Sequence, residues 1–335
     1  MGKKVLVIGA TGAMGRHLVP ELVKLGYEVT GVSLDVQEKP VPGVTYYTGD
    51  CFDKDFLTPL LEQKFDGVVN FMYFGATHPW SEYMELFLDN TDHYIFLSSC
   101  RVYADEEVPV RETSPRLWDV SKDEALLASN DYCIMKAKCE DMLWNSQYKN
   151  FTIVRPATTF SEMRYQLVTL EAKNTVGRAV KGKKVVVPIQ AKDKPATLCW
   201  GGDVAKMIAR LMFKPETMRE AYNVCSSESR TWGEIAEYYH RLCGLEAVWV
   251  DKEDYLKILN PEISLGSRWQ LEYARLFRRI TDNSKMLAVT GLKQSDFMPL
   301  YDALKMMIDA VPEGYEWTDT PVGERMDQYL EEHGL

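Results

Sequence analysis

The sequence predicts an α/β protein: a doubly wound parallel sheet with a smaller, interleaved α/β substrate region in its second half. Three observations carry this reading. Strand-like and helix-like segments alternate through the first half, as crossover helices on a parallel sheet require. The first strand runs straight into a glycine-rich turn that opens a helix. The strict alternation lapses after Arg155-Pro156.

The elements follow in order. Lys4 to Ile8 is a continuous apolar, β-branched run, the pattern of a strand buried on both faces. From Met14 to Leu25 apolar residues recur at three- and four-residue spacing, with Gly26 where a helix ends. Tyr27 to Val32, Val44 to Tyr47, Gly67 to Phe71 and Tyr94 to Leu97 read as strands two to five, with a helix at Phe56 to Gln63 and one brief helix around Trp80 to Leu88. Asp131 to Trp144 reads as a helix and Phe151 to Val154 as strand six. Beyond it, Val185 to Val187, Ala221 to Val224 and Ala247 to Val250 look like strands, and Asp203 to Phe213 and Trp232 to Leu242 like helices. A dinucleotide-binding part is assigned to residues 1–160 plus 198–228, and a substrate-binding part to 161–197 plus 229–335.

Composition narrows the function. Forty-nine acidic residues against 39 basic ones give a net charge of −10, which disfavours nucleic acid or an anionic membrane as main partner. No apolar run is long enough to span a bilayer, and the apolar stretch after Lys4 is too short for a signal-peptide core. Seven cysteines without a C-x-x-C pair read as reduced thiols in a cytoplasmic protein. The scattered histidines offer no metal site.

Gly9-Ala10-Thr11-Gly12-Ala13-Met14-Gly15 follows strand one and opens the first helix. Its glycines serve a tight turn, the approach of backbone amides to a pyrophosphate, and close helix-to-strand packing. Gly9, Thr11, Gly12, Ala13, Met14 and Gly15 are therefore candidate cofactor contacts. At the end of strand two an acid would bond the ribose hydroxyls of NAD, whereas an arginine would accept the phosphate of NADP. Ser33 holds that place, Asp35 can curl back to it, and Arg16 lies nearby, so NAD is favoured and NADP is the alternative.

The G-x-x-G-x-x-G spacing, with the residues below, resembles the extended short-chain dehydrogenase/reductase superfamily, NAD-dependent epimerase/dehydratase family, over most of the chain to about residue 225. The resemblance implies a Rossmann-type fold. It implies adenine contacts at Asp50 and Cys51, with Phe71 at the end of strand four and Arg155-Pro156 after strand six beside the cofactor. Tyr132 and Lys136, four apart, share one helix face and can reach one ligand. Tyrosine titrates near 10, so acting as a base at neutral pH requires about 3–4 kcal/mol of phenolate stabilisation; Lys136 and the nicotinamide ring are the expected sources. With 18 tyrosines about one Y-x-x-x-K arises by chance, and Tyr301 to Lys305 is a second. Only Tyr132 has a suitable serine upstream, Ser99, in a string similar to the family's S-S-x-x-V-Y. The implied reaction has Tyr132 take the hydroxyl proton while Ser99 holds the oxygen and Lys136 the ribose.

Departures from the family pattern refine this. Family dehydratases carry Asp-Glu where Cys100-Arg101 stand, so dehydration is disfavoured against epimerisation or simple oxidoreduction at a secondary alcohol or ketone, with a sugar or nucleotide-sugar as leading substrate. Trp200 stands in place of a usual histidine, and the R-P-G-D string that holds a diphosphate is missing. Cys100, Thr158, Arg275 and Arg279 are candidate substrate contacts, and Arg268 and Arg278 are alternative phosphate ligands. The short strand-four to strand-five connection resembles atypical members that bind RNA, which makes a non-catalytic nucleotide-sensing or RNA-binding protein the alternative. Tyr83, Phe87, Leu126, Leu127, Met142 and Trp144 offer an apolar surface for the homodimer the family implies.

Overall fold

Alternation of side chains decides how the first strand is used. In the computed structural model, which describes residues 2–335, β1 (Lys4–Ile8) points Val5 and Val7 into one apolar layer and Leu6 and Ile8 into the other. A strand with helices on both faces needs apolar residues at every position.

Six further strands complete the sheet: β2 (Glu28–Ser33), β3 (Thr45–Thr48), β4 (Phe65–Asn70), β5 (Thr91–Leu97), β6 (Phe151–Pro156) and a seventh, Glu220–Val224. From one edge the order is Glu220–Val224, β6, β5, β4, β1, β2, β3, and every pairing is parallel. The chain winds outward from β1 to β3 and then returns to β4. The carboxyl ends of β1 and β4 therefore border the switch point, where ligands of such sheets bind.

On one face α1 (Gly15–Lys24) buries Leu18, Val19 and Leu22 beside the helix Gly201–Leu211. On the other, α2 (Lys54–Leu61), α3 (Met84–Leu88) and the helix Tyr132–Asn145 supply Leu57, Phe87 and Leu143. The second half builds its own core around the parallel pair Val185–Pro188 and Ala247–Val250 and the helices Trp232–Cys243 and Leu300–Asp309. The helix Trp232–Cys243 starts at a Thr231/Glu234 capping box and ends at Gly244, whose φ is +73°. Two short strands, Thr158–Phe160 and Leu198–Trp200, pair in parallel beyond the end of β6.

Two expectations change. The single helix over Trp80 to Leu88 splits into a turn at Trp80–Glu82 and α3, because Trp80, Phe74, Tyr83 and Phe87 pack into one interior aromatic cluster. The proposed partner surface is largely interior: Tyr83, Phe87 and Leu126 are buried within the chain, and Met142, Trp144 and Leu127 are half-buried against the same layers. Among the described residues no helix is long and apolar enough to cross a membrane.

Candidate active site

The glycine loop is shaped by contacts that exclude side chains. Gly9 adopts φ +83°, and its amide donates to the Val32 carbonyl at 2.8 Å. A Cβ on Gly15 would lie 2.1 Å from the Gly9 carbonyl oxygen, so only glycine lets α1 begin this close to β1. Among the described residues the Ala13 and Met14 amides have no acceptor, and they sit just before the positive end of α1. Free amides at a helix start, beside a groove lined by Gly9, Thr11, Gly12, Asp35, Asp50 and Cys51, fit a dinucleotide pyrophosphate with its adenosine.

Ser33 has a different task from the one read in the sequence. Its Oγ accepts from the Thr11 amide at 2.9 Å and donates to the Val32 carbonyl at 2.8 Å, so it fastens the loop to β2 and is not free for a ribose. Asp35 remains at the groove's rim. Arg16 is held by the Thr11 carbonyl and by Glu162 at 2.9 Å. Phe71 backs the loop, with its Cβ 3.1 Å from where a Gly9 Cβ would be. Burial pushes the Cys51 thiol up to about 12.

At the carboxyl end of β5, Ser99 and Tyr132 come together. The Ser99 hydroxyl lies close enough to the Tyr132 phenol to lower its pKa, and the Arg101 amide donates to Ser99 Oγ at 3.2 Å. Asp131 fixes this corner twice over: its Oδ1 caps the helix by accepting from the Cys133 amide at 3.0 Å and also takes Arg101 Nη2 at 3.1 Å. Arg101 in turn lies over the Tyr132 ring, 5.4 Å from its centroid. Burial raises the Tyr132 pKa above its ordinary value; the nearby Ser99 hydroxyl and the Arg101 charge pull it part of the way back. Arg101, which the sequence reading treated only as a missing acid, is thus a cation acting on the phenol.

Lys136 is placed otherwise than expected. It is buried, its Nζ donates to the Leu97 carbonyl at 2.5 Å, and it lies 5.2–5.7 Å from the ring centroids of Phe96, Tyr73 and Tyr132. Burial pushes its pKa down to about 8. Tyr73, which stacks on Tyr132 at 5.1 Å and is 41% exposed, forms the outer wall of this cage. An aromatic just past β4 gave no recognisable signal in the sequence.

Arg155 is also corrected. Its guanidinium makes a two-pronged pair with Glu140, at 2.8 and 2.7 Å, and bonds the Tyr103 hydroxyl at 2.8 Å and the Glu112 carbonyl at 2.9 Å. Its side chain ties β6 to the helix Tyr132–Asn145, and its donors are taken up within the chain. Pro156 ends β6 opposite Val224. Arg268 and Arg278 are committed as well, to Glu253 and Glu272, and to Asp105. The structure does bring Cys100, Thr158, Arg275 and Arg279 into one cavity next to Ser99. Lys305 of the second Y-x-x-x-K pairs with Asp309 on an exposed face, while Tyr301 packs on Tyr238.

A parallel sheet whose switch point carries a glycine loop and whose fifth strand ends in a serine facing a tyrosine is the architecture of dinucleotide-binding α/β proteins. A family model described as "NAD dependent epimerase/dehydratase family" matches residues 5–225, and the chain belongs to that family. A UDP-glucose 4-epimerase of Neisseria meningitidis serogroup B is 28% identical over 141 residues, covering 34% of this chain and 42% of that protein, so the match spans less than half of the relative's length. Among solved structures, the chain is similar to the Thermus thermophilus UDP-glucose 4-epimerase in complex with NAD, at 18% identity over 91% of this chain and 98% of that one, with a TM-score of 0.64. It is also similar to the Bacillus cereus UDP-N-acetylglucosamine 4-epimerase, at 15% identity over 95% and 100%, with a TM-score of 0.67. At those identities the likeness establishes the fold.

Proposed function

We propose that the protein is an NAD(P)-dependent epimerase acting at a secondary alcohol of a sugar nucleotide. The observation that carries this reading is the proximity of Ser99 to Tyr132 at the end of β5, on the same side of the sheet as the glycine loop. The family match, and the sugar-nucleotide 4-epimerases named among similar proteins, support epimerisation over plain oxidation.

In this reading Tyr132 takes the proton of the substrate hydroxyl and later returns it, while Ser99 donates a hydrogen bond to the same oxygen. Arg101 stabilises the phenolate through the ring it covers. Lys136, once Tyr73 moves aside, turns its ammonium toward the ribose. When bound, the nicotinamide supplies hydride acceptance from the carbinol carbon and return to its other face. NAD is favoured over NADP: Asp35 at the groove's rim repels a 2′-phosphate, and Arg16 is engaged with Glu162 and Thr11.

The test is turnover of a panel of UDP-sugars by purified protein with NAD or NADP, for wild type and Tyr132→Phe. The variant is expected to lose nearly all turnover while keeping cofactor affinity. Turnover at the wild-type rate refutes the mechanism, and tight RNA binding without cofactor-dependent turnover favours the non-catalytic alternative.

A further inference from the structure

Three guanidiniums border one small cavity beyond the end of β5. Arg101, Arg275 and Arg279 line it with Cys100, Thr158 and Thr197, and its volume is about 10 Å³, close to the space of a single water. These residues come from the turn after β5, the stretch after β6 and two segments of the second half of the chain.

The donors around the cavity are not all taken. Arg279 is 7% exposed; its Nη2 donates to the Tyr103 carbonyl at 2.9 Å, while its buried Nη1 has no acceptor among the described residues. Arg101 Nη2 pairs with Asp131, yet its buried Nε is likewise without an acceptor. Arg275 bonds only neutral oxygens: the Val168 carbonyl at 2.7 Å, and Thr158 Oγ1 and Gln166 Oε1 at 3.2 Å each. The Trp232 and Phe277 rings lie under the Arg275 and Arg279 guanidiniums, with centroids 6.0 and 5.0 Å away, so an anion meets these two groups through their N–H edges.

Charge is left over as well. Of the three, only Arg101 has a carboxylate within ion-pair distance among the described residues; Asp105, whose charge also reaches Arg279, is bonded to Arg278. A buried guanidinium without an anion loses hydration and gains no Coulombic return. Burial and the charges of Arg101 and Arg279 push the Arg275 pKa down to about 10. A water in the cavity would accept from the open donors but leave two positive charges uncompensated. An anion of the same size does both.

Volume then selects among anions. Carboxylate, phosphate and sulfate each carry several heavy atoms and exceed the space of one water. A halide is a single sphere that accepts from any direction, so it can meet donors brought together from separate segments. Chloride also gives up its hydration shell more readily than fluoride.

We propose that this cavity is a binding site for a monatomic anion, chloride, held between Arg279 Nη1 and Arg101 Nε with Arg275 completing the positive shell. The ion joins the end of the sheet to the second half of the chain. The proposal needs neither cofactor nor substrate and so stands apart from the epimerase reading.

Thermal unfolding of the unliganded protein tests it. Chloride replaces gluconate at fixed ionic strength up to about 0.2 M, where general salt effects stay small. Wild type is expected to gain about 2–4 °C in a saturating curve, as a ten- to hundredfold excess over the dissociation constant gives for a chain of this length. Bromide is expected to act as chloride does, and Arg279→Gln to lose the rise while keeping any general salt effect. Equal melting temperatures in chloride and gluconate, or a rise that survives Arg279→Gln undiminished, overturn the site. Should Arg279→Gln fail to fold by circular dichroism, Arg101→Gln makes the same comparison. Crystals grown in bromide give a reading that needs no variant: an anomalous peak between Arg279 and Arg101 is expected, and a cavity without one refutes the proposal.

Discussion

Glu140→Gln neutralises a carboxylate that receives donors from three directions. Arg155 Nε and the Ser98 hydroxyl reach Oε1 at 2.8 and 2.5 Å; Arg155 Nη2 and Arg116 Nη1 reach Oε2 at 2.7 and 3.2 Å, and the carboxylate is fully buried. Removing it leaves the Arg155 guanidinium, 3% exposed, without its anion. Breaking a buried pair from one side costs about 3–5 kcal/mol. With an unfolding entropy of about 2.1 cal/mol/K per residue, that lowers the melting temperature of this 335-residue chain by about 4–7 °C. Calorimetry or circular dichroism measures the shift, and Arg155→Met is expected to match it. The double variant Glu140→Gln/Arg155→Met is expected to lose less than the summed losses, because neither charge is then stranded. Acid sharpens the test. Burial alone would raise the Glu140 pKa, but Arg155, Ser98 and Arg116 outweigh it and hold the group below its ordinary 4.5. Its stabilisation is therefore present above that value and lost as pH falls below it, so wild type should lose stability more steeply there than Glu140→Gln. A single-variant loss under about 1 kcal/mol, or strict additivity, refutes the account.

Three further outcomes follow from the same geometry. Arg101→Gln removes a cation from the Tyr132 ring, so the alkaline rise of kcat moves to higher pH and turnover at neutral pH falls about tenfold or more; an unchanged pH profile refutes the role. Gly15→Ala puts a Cβ 2.1 Å from the Gly9 carbonyl and 2.8 Å from Ala10 Cα, so NAD affinity measured by titration drops about tenfold or more as the loop shifts. Burial holds His93 at about 4, with Nε2 on Thr152 Oγ1 at 2.8 Å and Nδ1 accepting the Phe213 amide at 2.9 Å. Its folded pKa lies below the ordinary 6.5, so stability is full above 6.5 and declines by about 3 kcal/mol toward pH 4. Denaturant titrations should show that decline flattened in His93→Gln.

Periodicity and glycine spacing carried the sheet, its flanking helices and the loop, because each depends on neighbours in sequence. That Ser99 ends a strand and that Tyr132 and Lys136 share a helix face was readable for a related reason: a strand end and a helical period are local geometry. The sequence could not separate a residue's type from its commitments. Arg155 and Ser33 have the chemistry of ligand contacts, yet Glu140, Tyr103 and the Thr11 amide already engage them. Arg101 looked like an absent acid, and only the Asp131 cap that orients it over Tyr132 makes it part of the site.

The sequence by itself determined a parallel α/β sheet with a dinucleotide loop, since apolar period, turn chemistry and the steric demand for glycine act over a few residues. The tertiary structure alone decided which charges are satisfied. Arg116, Arg155 and Arg268 meet carboxylates from other elements, whereas Arg275 and Arg279 meet none among the described residues. A guanidinium's role depends on what folding places within about 3 Å of it, and that distance is set by packing between separate elements.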